Sequence, residues 1–234
     1  CVSTPEPFAK LFNQGMIRSF AYRDSRGVYV GYDDVDLSGD APRHKKTGEA
    51  LTESVEKMSK SLKNVVNPDE VISQYGADTF RLYEMFMGPL EASKPWNTKD
   101  VGGVHRFLNR VWRMVAGDED TKALLDAEGK GDEVERALHR LTRKVGEDVE
   151  AMKFNTAIAA MMDFVNTAFR CQTISRGQAG RFVLLLAPFA PHIAEELWQK
   201  LGHDASLAGE PWPTFDPALL VEQTIEMPVQ VNGK

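Results

Sequence analysis

The amino-acid sequence predicts a mainly α protein, in which a helical bundle follows a small α/β segment. Apolar residues recur at steps of three and four from about residue 68 to residue 201, which is the period of helices with one buried face. Before that stretch, apolar runs are short and separated by polar, Gly-containing segments, as in strands and turns. The 234 residues are 42% hydrophobic and 26% charged, which is enough to bury a sizeable core.

The first segment is predicted to contain one short helix and strands. Residues 5–18 predict a short helix that ends at Gly15 and then the entry into a strand, and residues 28–32 predict a strand after a turn at residues 24–27. Residues 33–56 are rich in Asp, Gly, Lys and Thr. They predict a long surface connection, with a second hairpin as the alternative.

Start and stop signals divide the rest of the chain into seven helices. Asn67 is a candidate N-cap, Pro68 lies in the first turn, Glu70 holds the capping-box position, and Gly76 ends this helix. Residues 117–132 are acidic and Gly-rich and predict a loop. The other helices are expected at residues 78–87, from a cap at Asn97 or Thr98 to residue 115, and at residues 134–149, 154–169, 176–187 and 191–201.

Charge and cysteine content exclude several classes of protein. A net charge of −6 argues against a wholly basic surface, although local basic patches can still bind nucleic acid. Cys1 and Cys171 are the only two cysteines, and no CxxC pair is present. A zinc site and a disulfide framework are therefore not expected, which fits a reducing compartment. No apolar run is long enough to span a bilayer.

Both ends of the sequence suggest a segment of a longer protein. The chain begins with Cys1. Residues 229–234 alternate between apolar and polar positions and then reach Asn-Gly, a hairpin signal whose return strand does not follow. We therefore expect a new β element from Thr224 onward.

Residues 57–61 are Lys-Met-Ser-Lys-Ser, which places four positive or polar donors in five positions. Lys57 and Lys60 lie three residues apart and can close on one triphosphate if the loop folds around it. Ser59 and Ser61 add hydroxyl donors. Such a loop can stabilise the charge that builds on a leaving pyrophosphate. The alternative is a solvated basic turn, which composition alone favours.

A second basic group lies on the third predicted helix. Arg106, Arg110 and Arg113 are spaced by four and three residues, so they share one side of a helix, called here the basic face. Such a face can contact the phosphate backbone of RNA without reading its sequence. The alternative is a solvated face whose arginines pair with acidic side chains.

The sequence of this loop and of several later stretches resembles one enzyme family. Lys-Met-Ser-Lys-Ser at residues 57–61 is similar to the signature loop of the class I aminoacyl-tRNA synthetases. The segment that follows resembles their leucine, isoleucine and valine subgroup, and further stretches resemble the bacterial leucyl enzymes. The likeness is weakest in residues 22–54 and 117–132. The stretches that carry it are residues 62–69, 75–82, 87–91, 106–112, 154–158, 188–198 and 229–234.

The resemblance implies a division into three domains. Residues 1–66 would be the end of a Rossmann-like catalytic domain, with a variable polar connection at residues 22–54. Residues 67–215 would form a tRNA-binding helical bundle of the anticodon-binding type. Residues 216–234 would begin a C-terminal domain.

The resemblance also implies roles for particular residues. Lys60 would contact the ATP phosphates, and Lys57 would assist, which makes both lysines catalytic. Met58, Ser59 and Ser61 match the remaining ATP-binding positions of the loop. The arginines of the basic face would contact tRNA by its shape, since the leucyl enzymes are expected not to read the anticodon.

The activity implied for the family is the activation of leucine with ATP and Mg²⁺ to leucyl-adenylate, followed by transfer to tRNA(Leu). The family's other signature, a His-containing motif, is absent from the sequence, as is a stretch that resembles the leucine pocket. We therefore expect this chain to be inactive alone, without a metal site of its own. The resemblance further implies a cytoplasmic monomer that does not act at a membrane.

Two alternatives remain from the sequence. A valyl or isoleucyl enzyme would carry a similar loop, but Lys63-Asn64 argues against it, because those relatives usually have Gly before the Asn. A stand-alone helical RNA-binding module would have no enzymatic parent. An upstream reading frame that contains the His motif would exclude such a module.

Overall fold

The computed structural model describes residues 3–8, 10–126 and 132–221. The predicted β element from Thr224 and the hairpin at residues 229–234 lie outside the described residues. The prediction of a mainly α protein with a small sheet before a helical bundle is confirmed.

The described part of the chain contains eight short strands in three sheets. They are β1 (Ile17–Arg23), β2 (Tyr29–Val30), β3 (Val35–Asp36), β4 (Arg43–His44), β5 (Thr52–Lys57), β6 (Lys94–Pro95), β7 (Leu125–Asp126) and β8 (Ile174–Ser175). Strand β1 pairs antiparallel with β2 and β5 and parallel with β6. β3 and β4 form a separate antiparallel hairpin, and β7 and β8 form a short parallel pair.

The seven predicted helices are all present in the described part of the chain. They are α1 (Pro68–Tyr75), α2 (Ala77–Phe86), α3 (Thr98–Ala116), α4 (Asp132–Glu150), α5 (Phe154–Cys171), α6 (Arg176–Leu186) and α7 (Pro191–Lys200). Helix α5 packs along α4, and α3 lies against α2, α5 and α7. The sequence located these helices well because most have a regular apolar face, and several begin with a capping side chain or a proline.

One hydrophobic core runs through all seven helices. It extends from Val71 on α1 to Leu207 beyond α7, and includes completely buried side chains such as Leu138 and Phe182. Trp96 is 4% exposed and packs against aromatic rings of α2, which fixes its loop to the bundle. Trp198 is also buried.

The short helix predicted within residues 5–18 is wrong. The described residues before β1 are irregular, and Leu11 is 82% exposed. A short amphipathic helix is stable only where its apolar side can pack against another element. Phe8 and Leu11 lie outside the hydrophobic core of the described residues and stay exposed. The end of this segment is instead held by hydrogen bonds to the connection before β6. The Gly15 N–H donates to the Leu90 carbonyl at 2.8 Å, and the Met16 N–H donates to Ser93 Oγ at 3.1 Å.

The long connection predicted at residues 33–56 is more regular than expected. The alternative of a second hairpin is confirmed by β3 and β4, but strand β5 was not predicted. Most β5 side chains are polar and exposed, so the strand lacks the apolar alternation from which strands are inferred. Its backbone pairs with six consecutive residues of β1, which decides its conformation.

The cap predicted at Asn67 is confirmed, since Asn67 Oδ1 accepts from the Asp69 N–H at 3.1 Å. Glu70 does not complete a capping box there, because its carboxylate meets the Asn67 side-chain amide instead. Asn97 caps α3 in the same way, and a full capping box forms at α6 between Ser175 and Gln178.

Candidate functional site

The Lys-Met-Ser-Lys-Ser loop begins where strand β5 ends. Lys57 is the last residue of the strand and pairs with Arg18 of β1. Ser59 then caps a short 3-10 turn at residues 60–62, and Lys63 closes the turn with a left-handed backbone, at φ 53°. A strand followed by a tight turn therefore presents the five motif residues in a compact bend.

The hydroxyl groups of the loop contact each other and stay accessible. Ser59 Oγ accepts from the Ser61 N–H at 3.3 Å and lies 2.8 Å from Ser61 Oγ. Met58 is partly buried and packs against the helical core. The methionine thus fixes the loop to the bundle, while its neighbours remain at the surface.

The two motif lysines are exposed and unneutralised. Lys57 and Lys60 both lie at the surface, and no ion pair joins either ammonium group to a carboxylate of the described residues. Some other lysines are neutralised, since Lys46 pairs with Asp34 and Lys144 pairs with Asp148. The loop therefore offers two positive groups to an anion from outside.

Arg18 adds a further positive charge that sequence reasoning did not identify. It is exposed and directly opposite Lys57 in the β1–β5 register. Like charges at opposed positions of a sheet are unfavourable unless an anion neutralises them. No local pattern marks Arg18, because only the pairing of β1 with the unpredicted β5 brings it to the loop.

Asn64 is the second site residue that the sequence did not reveal. It is 1% exposed, although it follows three exposed or half-exposed residues. Its Oδ1 accepts from the Ser59 N–H at 2.9 Å, and its Nδ2 donates to the Lys57 carbonyl at 3.3 Å. One buried amide therefore joins both ends of the Lys57–Ser59 stretch from below.

The surface next to the segment after the loop combines aromatic and apolar side chains with polar ones such as Glu70 and Lys99. A cavity of about 390 Å³ lies between the sheet and the helices, lined in part by Phe20, Tyr32, Val66 and Trp96. Burial raises the pKa of Tyr32, whose hydroxyl donates to the Phe20 carbonyl at 2.7 Å. Burial also raises the pKa of Tyr22, which lines the same cavity. Both tyrosines therefore stay uncharged at neutral pH, so neither is an anion that could form an ion pair with Lys57 or Lys60.

The structure divides the basic face of α3. Arg106 is exposed at the surface of its own helix. Arg110 donates to Asn166 Oδ1 at 2.7 Å and lies over the Phe169 ring at 5.0 Å. Arg113 lies 3.7 Å from an Asp118 carboxylate oxygen. Arg110 and Arg113 thus have partners within the chain, and Arg106 is the best placed of the three to contact RNA.

His192 lies in the first turn of α7 and contacts α2. Its Nδ1 lies 2.8 Å from Asp78 Oδ1, and the other oxygen of Asp78 accepts from the Ile193 N–H at 2.7 Å. Asp78 therefore joins α2 to the first turn of α7. Among residues 3–8, 10–126 and 132–221, no three potential metal ligands form a cluster, and no helix is long and apolar enough to cross a membrane.

Comparison with known families gives two matches along the chain. The family described as tRNA synthetases class I (I, L, M and V) matches residues 35–94, a range that includes β5, the motif loop and the first two helices. The family described as anticodon-binding domain of tRNA ligase matches residues 132–234, which begin with α4.

Individual relatives match over the entire chain. The chain is 48% identical to a leucine–tRNA ligase of Rhodopirellula baltica and 50% identical to one of Nocardia farcinica, with 100% of the chain covered in both cases. It covers 28% and 25% of those two proteins, so it spans about a quarter of the length of these curated relatives.

A solved structure extends the similarity to three dimensions. In the ternary complex of Agrobacterium radiobacter K84 agnB2 LeuRS, tRNA and LeuAMS, the LeuRS chain is 33% identical to this one, with a TM-score of 0.69. The match covers 99% of this chain and 28% of the LeuRS chain.

A motif loop at the end of a sheet, followed by a helical bundle and matched by both family descriptions, defines a segment of a class I tRNA ligase. The full-length matches at 48% and 50% identity then narrow the assignment. Within that class, the chain belongs to the leucyl-tRNA synthetases, which are enzymes.

Proposed function

We propose that this chain supplies the ATP-phosphate-binding loop and part of the tRNA-binding surface of a leucyl-tRNA synthetase. The observation that carries the proposal is the loop itself. Lys57 and Lys60 stand exposed on a bend that a buried amide holds, and no carboxylate of the described residues neutralises them. A pair of ammonium groups presented in this way suits a polyphosphate.

In the proposed reaction, a carboxylate oxygen of leucine bonds to the α-phosphorus of ATP. The bond from that phosphorus to the bridging oxygen breaks, and pyrophosphate leaves with the electron pair. Negative charge therefore grows on the oxygens of the leaving group. Lys60 would stabilise that charge in the transition state, with Lys57 beside it, as preorganised charges do in other active sites. Ser59 and Ser61 would donate hydrogen bonds to the same phosphates.

The remaining parts of the reaction lie beyond this segment. Mg²⁺, when bound with ATP, neutralises phosphate charge, and the proposal gives it no ligand from this chain. The leucine pocket would lie in the portion of the relatives that this chain does not cover. We therefore expect the chain alone to form no adenylate, and we expect the complete enzyme to act as a monomer on leucine, ATP and tRNA(Leu).

The phosphate role is tested by Lys60→Ala in a full-length leucyl enzyme that carries this segment. Loss of one transition-state contact to a developing charge typically lowers kcat by about 10²–10³-fold. Leucine-dependent exchange of pyrophosphate into ATP should fall by that order, while the affinity for tRNA(Leu), measured by filter binding, stays within twofold.

The matched control is Lys122→Ala, which removes an exposed lysine from the connection after α3. It should leave the exchange rate unchanged. Equal exchange rates for Lys60→Ala and wild type would refute the phosphate role of the loop.

The RNA-binding part of the proposal depends on Arg106. An exposed arginine on a helix can neutralise one backbone phosphate, which releases counterions and makes binding depend on salt. Arg106→Glu should weaken binding of tRNA(Leu) and lower the slope of log K against log salt by about one. The control is Arg143→Glu, a partly exposed arginine on α4. If Arg106→Glu left the slope unchanged, Arg106 would be a solvated surface residue.

A further inference from the structure

We propose that Asn64 is a positioning residue that holds Lys57 and Lys60 in their phosphate-binding arrangement. The inference rests on the proposed function of the loop and adds to it a residue that does not itself touch ATP. Asn64 is buried to 1% exposure within a stretch whose other polar side chains face solvent. A polar side chain in such a place is kept only where its hydrogen bonds are satisfied.

The two hydrogen bonds of Asn64 lie on either side of Met58. The Ser59 N–H donates to its Oδ1 at 2.9 Å, and its Nδ2 donates to the Lys57 carbonyl at 3.3 Å. A single amide thus replaces the strand partner that the backbone loses where β5 ends at Lys57. The backbone direction of residues 57–59 is consequently set by Asn64.

The 3-10 turn at residues 60–62 depends on the same amide. Ser59 caps the 3-10 turn that carries Lys60, so the amide that holds Ser59 also fixes where the turn begins. Lys63 adopts φ 53°, which reverses the chain and returns Asn64 beneath the loop. Nearby, a Cβ at Gly31, the residue after β2, would lie 3.8 Å from the Lys63 Cβ. Strand end, turn and amide therefore form one closed unit.

Loss of the Asn64 amide should affect ATP binding and leave the chemical step unchanged. Without the amide, the loop would populate other conformations, and the apparent affinity for ATP would fall with the fraction that remains competent. Saturating ATP would select the competent conformation again. Asn64→Ala should therefore raise KM for ATP about tenfold and leave kcat within about twofold, whereas Lys60→Ala lowers kcat.

A matched control lies three residues further on. Asn67 is also an asparagine with a side chain that accepts from the backbone, but it caps α1 and holds no part of the motif loop. Asn67→Ala should lower the thermal midpoint of the enzyme without changing KM for ATP. The comparison of two Asn→Ala variants separates loss of position from loss of stability.

The experiment measures leucine-dependent pyrophosphate exchange against ATP concentration in the full-length enzyme. The variants are Asn64→Ala, Asn67→Ala and Lys60→Ala. A rise in KM for Asn64→Ala alone, together with a fall in kcat for Lys60→Ala, supports the inference. If Lys60→Ala lowers kcat while Asn64→Ala behaves like Asn67→Ala, the positioning role is overturned and the phosphate role stands. If Lys60→Ala has no effect, both are overturned.

A second measurement does not depend on activity. Amide hydrogen exchange in the same variants should show that the Ser59 N–H loses protection in Asn64→Ala and keeps it in Asn67→Ala. Where Asn64→Ala does not fold, Asn64→Asp takes its place, because its carboxylate still accepts from Ser59 but cannot donate to the Lys57 carbonyl. It should keep Ser59 protected and still raise KM. Unchanged Ser59 protection in Asn64→Ala would overturn the inference.

Discussion

The motif loop and the helical bundle differ in what holds each of them in place. The bundle is held by apolar burial, with side chains such as Leu138 and Phe182 at 0% exposure. The loop leaves its two lysines exposed, and its bend is held by the packing of Met58, the Ser59 cap and the buried Asn64 amide. The bundle therefore contributes most of the stability of the fold, whereas the charged groups of the loop contribute little to it.

Mutations in the two regions should therefore affect different properties. The partly buried charged network of the bundle finds its partners inside the chain, as Arg181 does with Glu135 at 2.7 Å. The two lysines of the loop form no ion pair with a carboxylate of the described residues. Substitutions in the buried core of the bundle should lower stability, and substitutions at the loop lysines or at the exposed Arg106 should weaken function without unfolding the chain.

The largest effect on stability should come from Leu138→Ala in the core of the bundle. Leu138 is completely buried on α4, so the change removes its burial and leaves a cavity, at a cost of about 3 kcal/mol. Urea denaturation of the 234-residue chain measures the loss. Leu11→Ala is the matched control, because Leu11 is 82% exposed and should cost less than about 0.5 kcal/mol. Equal costs would contradict the division into a buried bundle and a loosely held entry segment.

A smaller loss is expected from Gly15→Ala, at the junction of the two regions. A Cβ at Gly15 would lie 2.2 Å from the Ala92 carbonyl carbon and oxygen, so the backbone that leads into β6 would have to move. The expected cost is about 2 kcal/mol, typical of overpacking. Gly39→Ala is the control, since nothing lies within 4 Å of its Cβ position. A Gly15→Ala protein as stable as Gly39→Ala would show that the entry segment is not fixed at Ala92.

The smallest effect should be the pH dependence that comes from Glu135. Burial opposes its ionisation, but the donors of Arg181 and Gln178 outweigh burial and hold the pKa of Glu135 below its usual range. A carboxyl with a lowered folded-state pKa stabilises the protein above its unfolded-state pKa of about 4.3. That contribution is lost as the pH falls through the lower, folded-state pKa.

The free energy of unfolding should therefore fall less steeply with acid in Glu135→Gln than in wild type. The measurement is urea denaturation between neutral pH and the acid range, with Glu119→Gln in an exposed connection as the control. Identical slopes for Glu135→Gln and wild type would mean that the Arg181 pair contributes nothing to the bundle.

The two regions also differ in how far their sequences predict their structures. The helices follow from regular apolar faces, and the caps at Asn67 and Asn97 follow from residue type. The predicted helix before Gly15 fails because its apolar residues meet no partner surface. Strand β5 was not predicted because its conformation depends on pairing with β1, and its own polar side chains do not indicate a strand.

The candidate site could be predicted only in part. The motif lysines are recognisable from their order along the chain, since the chemistry depends on adjacent residues. Arg18 and Asn64 are not, because one reaches the loop through strand pairing and the other through a left-handed turn at Lys63. Contacts that depend on such folding leave no mark in the local sequence. The roles of the lysines and of the basic face stay predictions until they are measured.

The proposed function of the loop is tested most directly by measuring amino-acid-dependent pyrophosphate exchange in a full-length enzyme that carries this segment. Leucine, isoleucine and valine are compared in wild type and in Lys60→Ala. Leucine should support the fastest exchange, and Lys60→Ala should lower this rate by about 10²-fold or more. Faster exchange with valine or isoleucine would contradict the leucyl assignment, and a leucine rate that Lys60→Ala leaves unchanged would contradict the phosphate role of the loop.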